Sequence, residues 1–462
     1  FKKVTELNPK YANGFNDLGI TLQTLGKYEE AIKAYKNALL LRPKYAEVYN
    51  NIGNTLKNQG KLNEAIDAYK QAVLLIPDTP EIHNNLGLTL KDHGKFDDAV
   101  ESYDRALSLK PDYFEAYNNK GNALKDQGKL EEAISTYEKA IKVKPDYADA
   151  HINLSFVLLS YGKLKVGLDE YEWRWKTNKF LSQQRHFSQP LWDAKQSLND
   201  KKILLWSEQG IGDTINWSSL IPFVSSQAKS CILECQQKLV PLLKRSFPHI
   251  EIKSNNSNND KERDDFDFHL PMGSLYKHFL EDITKNPKPR AFLVPDPVRV
   301  NFWKKRLKSL GKGPYIGISW KSSNMSTLRL PNYSSISDWS VILTIPDITF
   351  INLQYVDFEN DLKKIKNEIG VTIHNFDDLD HYENIDDVAA LVKALDMVVS
   401  IQSSIPQISS GVGTTTKLAS WQQSTWNNIL HKPVGPLVDK FERNRSEPWK
   451  NVFNLIALDI LK

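Results

Sequence analysis

Cysteine is scarce in this sequence: 462 residues contain two, Cys231 and Cys235. Both fall in Ser230-Cys231-Ile232-Leu233-Glu234-Cys235, which reads as a strand. Residues four apart on a strand share a face about 13 Å apart, beyond the span of a disulfide. A disulfide-stapled fold is therefore excluded, and free thiols in a reducing, cytoplasmic setting are the expectation. No apolar run approaches the roughly 20 residues that a bilayer-spanning helix needs, so no transmembrane segment is expected. Charge of one sign is also missing, since 60 Lys and Arg against 56 Asp and Glu leave only +4. Neither half has the basic excess of a nucleic-acid binder. The 10 histidines are scattered and the cysteines lack zinc-ligand spacing, so neither a metal site nor a cofactor is expected. No Ser-His-Asp set suggests itself either. What is present is apolar and aromatic material, 40% hydrophobic with 11 Trp, 18 Tyr and 19 Phe. That is enough for packed cores and excludes bulk disorder; the length suggests roughly three domains.

The first half repeats itself with a period of 34: Pro9, Pro43, Pro77, Pro111 and Pro145 mark the step. Gly19, Gly53, Gly87 and Gly121 keep it, as do Ala31, Ala65, Ala99 and Ala133. Tyr35, Tyr69, Tyr103, Tyr137 and Tyr171 follow the same register. This is the signature of the tetratricopeptide repeat, a pair of helices per unit. Phe15, Leu18 and Leu22 form the stripe of a first helix, Gly19 on that stripe lets the second helix approach, and Gly26 breaks the chain between them. The proline ends the second helix. One such pair cannot bury its own stripe, so the units must stack into an α-solenoid. Phe1, Val4 and Pro9 occupy the register of Tyr35, Ala38 and Pro43. The array thus starts mid-repeat, and further repeats upstream in a longer protein are the expectation. The fifth unit decays: Ser155 stands in the glycine register, and the end becomes Tyr171-Glu172-Trp173-Arg174-Trp175, read as an aromatic cap on the domain that follows.

Asn51, Asn85, Asn119 and Asn153 also recur every 34 residues, with Asn50, Asn84 and Asn118 beside them and Asn54 and Asn122 a turn further on. On the inner face of a solenoid a ladder of amides can bind an extended acceptor peptide through its backbone. Alternatively it fills a solvated consensus face.

From about residue 200 short apolar strands alternate with helices. Lys202 to Trp206, Cys231 to Glu234, Ile250 to Ile252 and Phe266 to Leu270 read as strands of one unit, with a polar loop from Asn255 to Asp265. Tyr315 to Trp320, Thr349 to Leu353, Val371 to Ile373 and Met397 to Ile401 read as strands of another. This alternation predicts doubly wound parallel sheets, two Rossmann-like α/β domains that face a ligand cleft. The expected organisation is a solenoid over 1–180, a linker over 181–200, and α/β domains over 201–297 and 298–462.

Trp206-Ser207-Glu208-Gln209-Gly210-Ile211-Gly212-Asp213-Thr214 resembles the opening loop of bacterial proteins that place tetratricopeptide repeats before a heptosyltransferase-like, GT-B glycosyltransferase domain. Pro190-Leu191-Trp192-Asp193, Gly317 to Lys321, Asn352 to Tyr355 and Asp387 to Ser400 also match. The resemblance implies metal-independent transfer of a sugar from a nucleotide-sugar donor to a protein or glycan acceptor held by the repeats. It makes Asp213 the general base for the attacking hydroxyl; read by itself, Asp213 equally suits a helix cap. Gly210 and Gly212 would allow a tight turn and close ligand approach. Lys321 and Arg329 would stabilise the leaving diphosphate, or else are solvated surface cations. Gln402, Ser403, Ser404 and Gln407, then Gly413 and Thr414, resemble the family's donor loop at a helix start. The chain departs from the family at two of these, with Gln402 where Asp is common and Gln407 where His is common. Glutamine retains hydrogen bonding and loses the charge. These departures favour a second expectation, a non-catalytic scaffold whose repeats bind proteins. A repeat-bearing protein O-GlcNAc transferase shares the architecture and the amide ladder, but the motifs match the heptosyltransferase type.

Overall fold

The computed structural model describes residues 2–255, 260–285, 291–322, 333–356, 358–421, 438–443 and 447–462. They divide into two compact units, Phe1–Tyr161 and Gly162–Lys462.

In the first unit a glycine in one helix meets a tyrosine in the next. A Cβ on Gly19, Gly53, Gly87 or Gly121 would lie 2.4, 2.7, 2.7 or 2.6 Å from Cε1 of Tyr35, Tyr69, Tyr103 or Tyr137. The ring therefore lies directly on the glycine backbone, and this close approach explains the repeated Gly-Tyr spacing. It fixes the pairs Ala12–Thr24 with Tyr28–Leu41, Ala46–Asn58 with Leu62–Leu75, Pro80–Asp92 with Phe96–Leu109, and Phe114–Asp126 with Leu130–Val143. Helix Ala148–Ser160 follows. The turns within the pairs need a left-handed residue, and Gly26, Gly60, Gly94 and Gly128 supply φ of +72°, +75°, +85° and +84°. Ala31, Ala65, Ala99 and Ala133 are fully buried, because only a small side chain fits the crossing. The unit is the stacked helical solenoid that the period predicts.

The second unit opens with helix Leu164–Tyr171 and a 3₁₀ turn, Glu172–Lys176. Its first sheet contains β1 (Lys202–Trp206), β2 (Ser230–Cys235), β3 (Glu251–Ser254) and β4 (Phe268–Pro271), all parallel in the order β3-β2-β1-β4. Strand β1 is buried along its length after Lys202, as a central parallel strand must be. Cys231 and Cys235 lie buried on β2 and form no disulfide; burial pushes both thiols up to about 12.

The second sheet contains β5 (Tyr315–Ser319), β6 (Thr349–Asn352), β7 (Ile373–His374), β8 (Met397–Ile401), β9 (Thr415–Trp421) and β10 (Val438–Arg443). All six are parallel, in the order β7-β6-β5-β8-β9-β10. The order reverses between β5 and β8, which makes their carboxyl ends the switch point of a doubly wound sheet. The sequence reading found neither β9 nor β10. Buried Lys417 on β9 pairs with Asp439 of β10 at 2.6 Å and with Asp459, and a charged residue inside a strand masks the apolar signal. After β1 come two short helices, Ile211–Ser218 and Ile221–Ser225, with Pro222 in the first turn of the second. No described helix is long and apolar enough to cross a membrane.

Candidate functional site

Strand β1 delivers the loop Ser207 to Gly210 to the edge of the first sheet. Gly210 is the N-cap of helix Ile211–Ser218 with φ −71°, a conformation open to any residue. Asp213 sits in the first turn of that helix, partly exposed. Gly212 is the closer neighbour of the second sheet: a Cβ there would lie 3.4 Å from Ser404 Cα and 3.6 Å from Gln407 Oε1, ordinary van der Waals contact. The loop after β1 thus abuts the loop after β8, at the start of helix Ile405–Val412. Gly212, Asp213, Ser403, Ser404 and Gln407 are gathered in one place, with Gln402 adjacent in the chain.

Other expected residues fall elsewhere. Gly413, with φ +81°, ends helix Ile405–Val412, and Thr414 donates to Val392 O at 2.9 Å. They occupy the opposite end of that helix, roughly 12 Å along an eight-residue rod. Lys321 follows β5, but its Nζ is 2.9 Å from Asp361 Oδ2, so its charge is already answered. Arg329 lies outside the described residues, as does the polar run after Trp421. The backbone at the end of β5 is held by Gln354, a fully buried side chain. Its Oε1 accepts from Trp320 N and Lys321 N at 3.0 Å each, and its Nε2 donates to Lys321 O at 2.8 Å.

Sequence reasoning missed the polar centre of the first sheet. Its switch point lies between β1 and β4, and Arg174 fills it. Arg174 is 0% exposed. Its Nε donates to Glu208 Oε1 at 2.9 Å, its Nη1 to Glu172 Oε1 at 2.7 Å and its Nη2 to Ser274 Oγ at 2.8 Å. The Tyr171 and Trp175 rings lie 4.6 and 4.7 Å from the guanidinium carbon. The segment 171–175, read as an aromatic cap, is therefore the seat of a buried ion pair. Its signal was one arginine among aromatic residues, which reads equally as a surface cation. Burial pushes the Glu208 carboxyl up to about 7 even with Arg174 beside it, and Glu208 Oε2 is buried without a partner.

A cavity of about 710 Å³ opens at the same sheet edge. Ser207, Glu208 and Gln209 after β1, Gln236 after β2 and Asn255 after β3 line it, and the segment 182–186 closes one side. Arg185 in that segment donates from Nε to Asp260 at 2.9 Å and from Nη1 to Glu234 at 2.6 Å. The described residues of the polar loop, 260–265, are thus tied down by ion pairs. Among the described residues no three His, Cys, Asp or Glu side chains converge as metal ligands.

In the first unit the amide ladder is hydrogen-bonded to itself. Asn51, Asn85, Asn119 and Asn153 donate from Nδ2 to Oδ1 of Asn16, Asn50, Asn84 and Asn118 at 3.0, 3.2, 3.0 and 2.9 Å. Each rung bridges successive repeats. Asn54 and Asn122 instead accept from the buried hydroxyls of Tyr69 and Tyr137, at 2.6 and 2.9 Å.

A TPR-repeat family model matches residues 24–60, 53–94, 89–128 and 121–162, and a tetratricopeptide-repeat model matches 1–33. The N-terminal part of the chain is a tetratricopeptide-repeat array, a protein-binding architecture. Protein FlbA of Caulobacter vibrioides is 30% identical over 278 residues, 57% of this chain and 46% of FlbA. The chain thus spans less than half the length of that relative. Among solved structures, MamA is 25% identical with a TM-score of 0.33, over 36% of this chain and 97% of MamA. YrrB, described as a TPR protein with an unusual peptide-binding site, is 23% identical with a TM-score of 0.33, over 38% of this chain and 92% of YrrB.

Proposed function

We propose that the chain is a glycosyltransferase in which the repeats recruit a protein or glycan acceptor and the α/β unit, a GT-B pair, uses a nucleotide-sugar donor without a metal. The boundaries are those expected above, 1–180 for the repeats, 181–200 for the linker, and 201–297 and 298–462 for the two lobes. A reducing cytoplasmic setting follows from the free thiols. The observation that carries the reading is the meeting of two strand-end loops, close enough that a Cβ added to Gly212 would lie 3.4 Å from Ser404 Cα. It sets Asp213 of one sheet beside the switch-point loop of the other, where ligands of doubly wound sheets bind.

The residues divide the work as follows. The acceptor hydroxyl attacks the anomeric carbon and gives its proton to Asp213 Oδ. The bond from that carbon to the phosphate oxygen breaks, and the nucleoside diphosphate leaves with both electrons. Ser403 and Ser404, at the start of helix Ile405–Val412, face the phosphates. Gln402 and Gln407 offer hydrogen bonds to the donor. Lys321 exchanges Asp361 for the diphosphate, joined by Arg329. Gly210 keeps the β1 loop slim, and Gly413 and Thr414 anchor the far end of the helix. Acceptor peptide lies along Asn51, Asn85, Asn119 and Asn153, whose Nδ2 groups form the rungs.

The second reading, a scaffold with a silent α/β unit, is favoured by the Lys321–Asp361 pair and by Gln402 and Gln407. Thermal shift with UDP, GDP and ADP separates the two. Nucleotide at 100 times its Kd stabilises a site-bearing protein by about 2.7 kcal/mol. No shift with any of the three removes the transferase and leaves the scaffold. Asp213→Asn should bind nucleotide normally and lose turnover by about 100-fold or more; unchanged turnover removes Asp213 as the base.

A further inference from the structure

The 710 Å³ cavity at the carboxyl ends of β1, β2 and β3 is lined by none of the residues assigned to transfer above. Its size lies within the roughly 300–1,000 Å³ range of small-molecule sites. Its wall is built from amides and hydroxyls: Gln183, Gln184, Gln209, Gln236, Asn255 and Ser207. Internal hydrogen bonds engage an N–H of three of these amides. Gln236 Nε2 donates to Gln209 O at 2.6 Å, Gln209 Nε2 to Tyr171 Oη at 2.6 Å, and Asn255 Nδ2 to Ser207 Oγ at 3.0 Å. The acceptors are left over. Gln183 Oε1, Gln236 Oε1 and Glu208 Oε2 are each buried without a hydrogen-bond partner, and Glu208 as a whole is 5% exposed. Three orphaned acceptors around one cavity call for a ligand that brings donors.

The charges narrow the class. Arg185 and Lys261 face Glu208, Asp260 and Glu262. Arg185 is paired with Asp260, and Glu208 with Arg174, so the wall is close to neutral and calls for neither an anion nor an ammonium. Apart from the His186 imidazole no aromatic ring lines it, so there is no platform for a nucleobase.

We propose that this cavity binds a neutral, hydroxyl-rich ligand of one to a few sugar rings, whose O–H groups donate to Gln183 Oε1, Gln236 Oε1 and Glu208 Oε2. The binding claim stands on the cavity; that the bound sugar is the acceptor rests on the transferase reading. The segment 182–186, expected as mere linker, then becomes a wall of the site.

The test is calorimetric titration of the full chain, without nucleotide, with maltose, cellobiose and N,N′-diacetylchitobiose. Spermidine and inorganic phosphate serve as charged competitors. At least one disaccharide should bind saturably at one site per chain, and Gln236→Leu and Gln183→Leu should each weaken it about tenfold. Neither competitor should displace it. Absence of binding by all three disaccharides overturns the proposal, as does affinity unchanged in both variants, or displacement by spermidine or phosphate. If Gln236→Leu does not fold, the half-buried Gln183→Leu carries the comparison. Disaccharide binding together with a failed UDP, GDP and ADP screen keeps this site and removes the transferase; the converse keeps the transferase and removes this site.

Discussion

Tyr103 should be the one repeat tyrosine whose hydroxyl the array is better without. Tyr35 donates to Gln23 at 2.9 Å, Tyr69 to Asn54 at 2.6 Å and Tyr137 to Asn122 at 2.9 Å. Fifteen residues before Tyr103 the register holds Leu88 instead of asparagine. Twenty residues after it stands Ala123, where Tyr35 and Tyr69 have the hydroxyls of Thr55 and Thr89. The Tyr103 hydroxyl is accordingly buried without a partner. Removing a satisfied hydroxyl costs about 1 kcal/mol, whereas an unsatisfied one already carries a desolvation penalty of about 1–3 kcal/mol. Tyr137→Phe should therefore lower the stability of the array by about 1 kcal/mol, and Tyr103→Phe should leave it unchanged or raise it by up to about 1 kcal/mol. In a unit of this size that separates the two melting midpoints by roughly 2–8 °C. Far-ultraviolet circular dichroism on heating and in urea reads the difference. Leu88→Asn supplies the missing acceptor, so its effect should be more favourable by about 1 kcal/mol with Tyr103 present than in Tyr103→Phe, a coupling that a double-mutant cycle isolates. Equal losses for Tyr103→Phe and Tyr137→Phe, or no coupling to Leu88→Asn, would refute the reasoning.

Two further substitutions probe packing and charge. Gly121→Ala puts a Cβ 2.6 Å from the Tyr137 ring and should cost about 1–3 kcal/mol by overpacking, eased by Tyr137→Leu in the same chain. Gly94→Ala meets open space at φ +85° and should cost about 1–2 kcal/mol from backbone strain alone, with no relief from any tyrosine change; urea midpoints distinguish them. The carboxyl of Glu208 ionises near 4.5 when unfolded and at about 7 in the fold. Between those values the folded chain holds a proton that the unfolded chain has released, so stability of the α/β unit should fall as pH rises from about 4.5 to 7. Glu208→Gln should flatten that slope in urea titrations at pH 5, 6 and 7; an unchanged slope would place its origin elsewhere.

The repeats were legible residue by residue because a solenoid is nearly one-dimensional. Each unit touches only its neighbours, so a tyrosine and the glycine it covers recur 16 residues apart in the first four units, as Gly19 and Tyr35 do. The parallel sheets were legible as a class, since the central strands are short apolar runs. Strand β9 was not, because Lys417 breaks its run and finds its charge partners 22 and 42 residues away. The loop Gly210 to Asp213 and Ser404 were each visible in a motif, yet their contact was not, the two being almost 200 residues apart in the chain.

Local order alone thus settled the helical pairs, their turns and the presence of parallel α/β sheets, because each depends on spacings of a few residues. Three-dimensional folding decided which charges are neutralised and which polar atoms are stranded. Arg174 reads in the sequence as part of an aromatic cap and is the buried partner of Glu208; Lys321 looked available and is held by Asp361; the Asn ladder looked open and its Nδ2 groups bridge its own repeats. Such outcomes depend on desolvation and on pairings across long stretches of chain, and a residue's own letter carries neither.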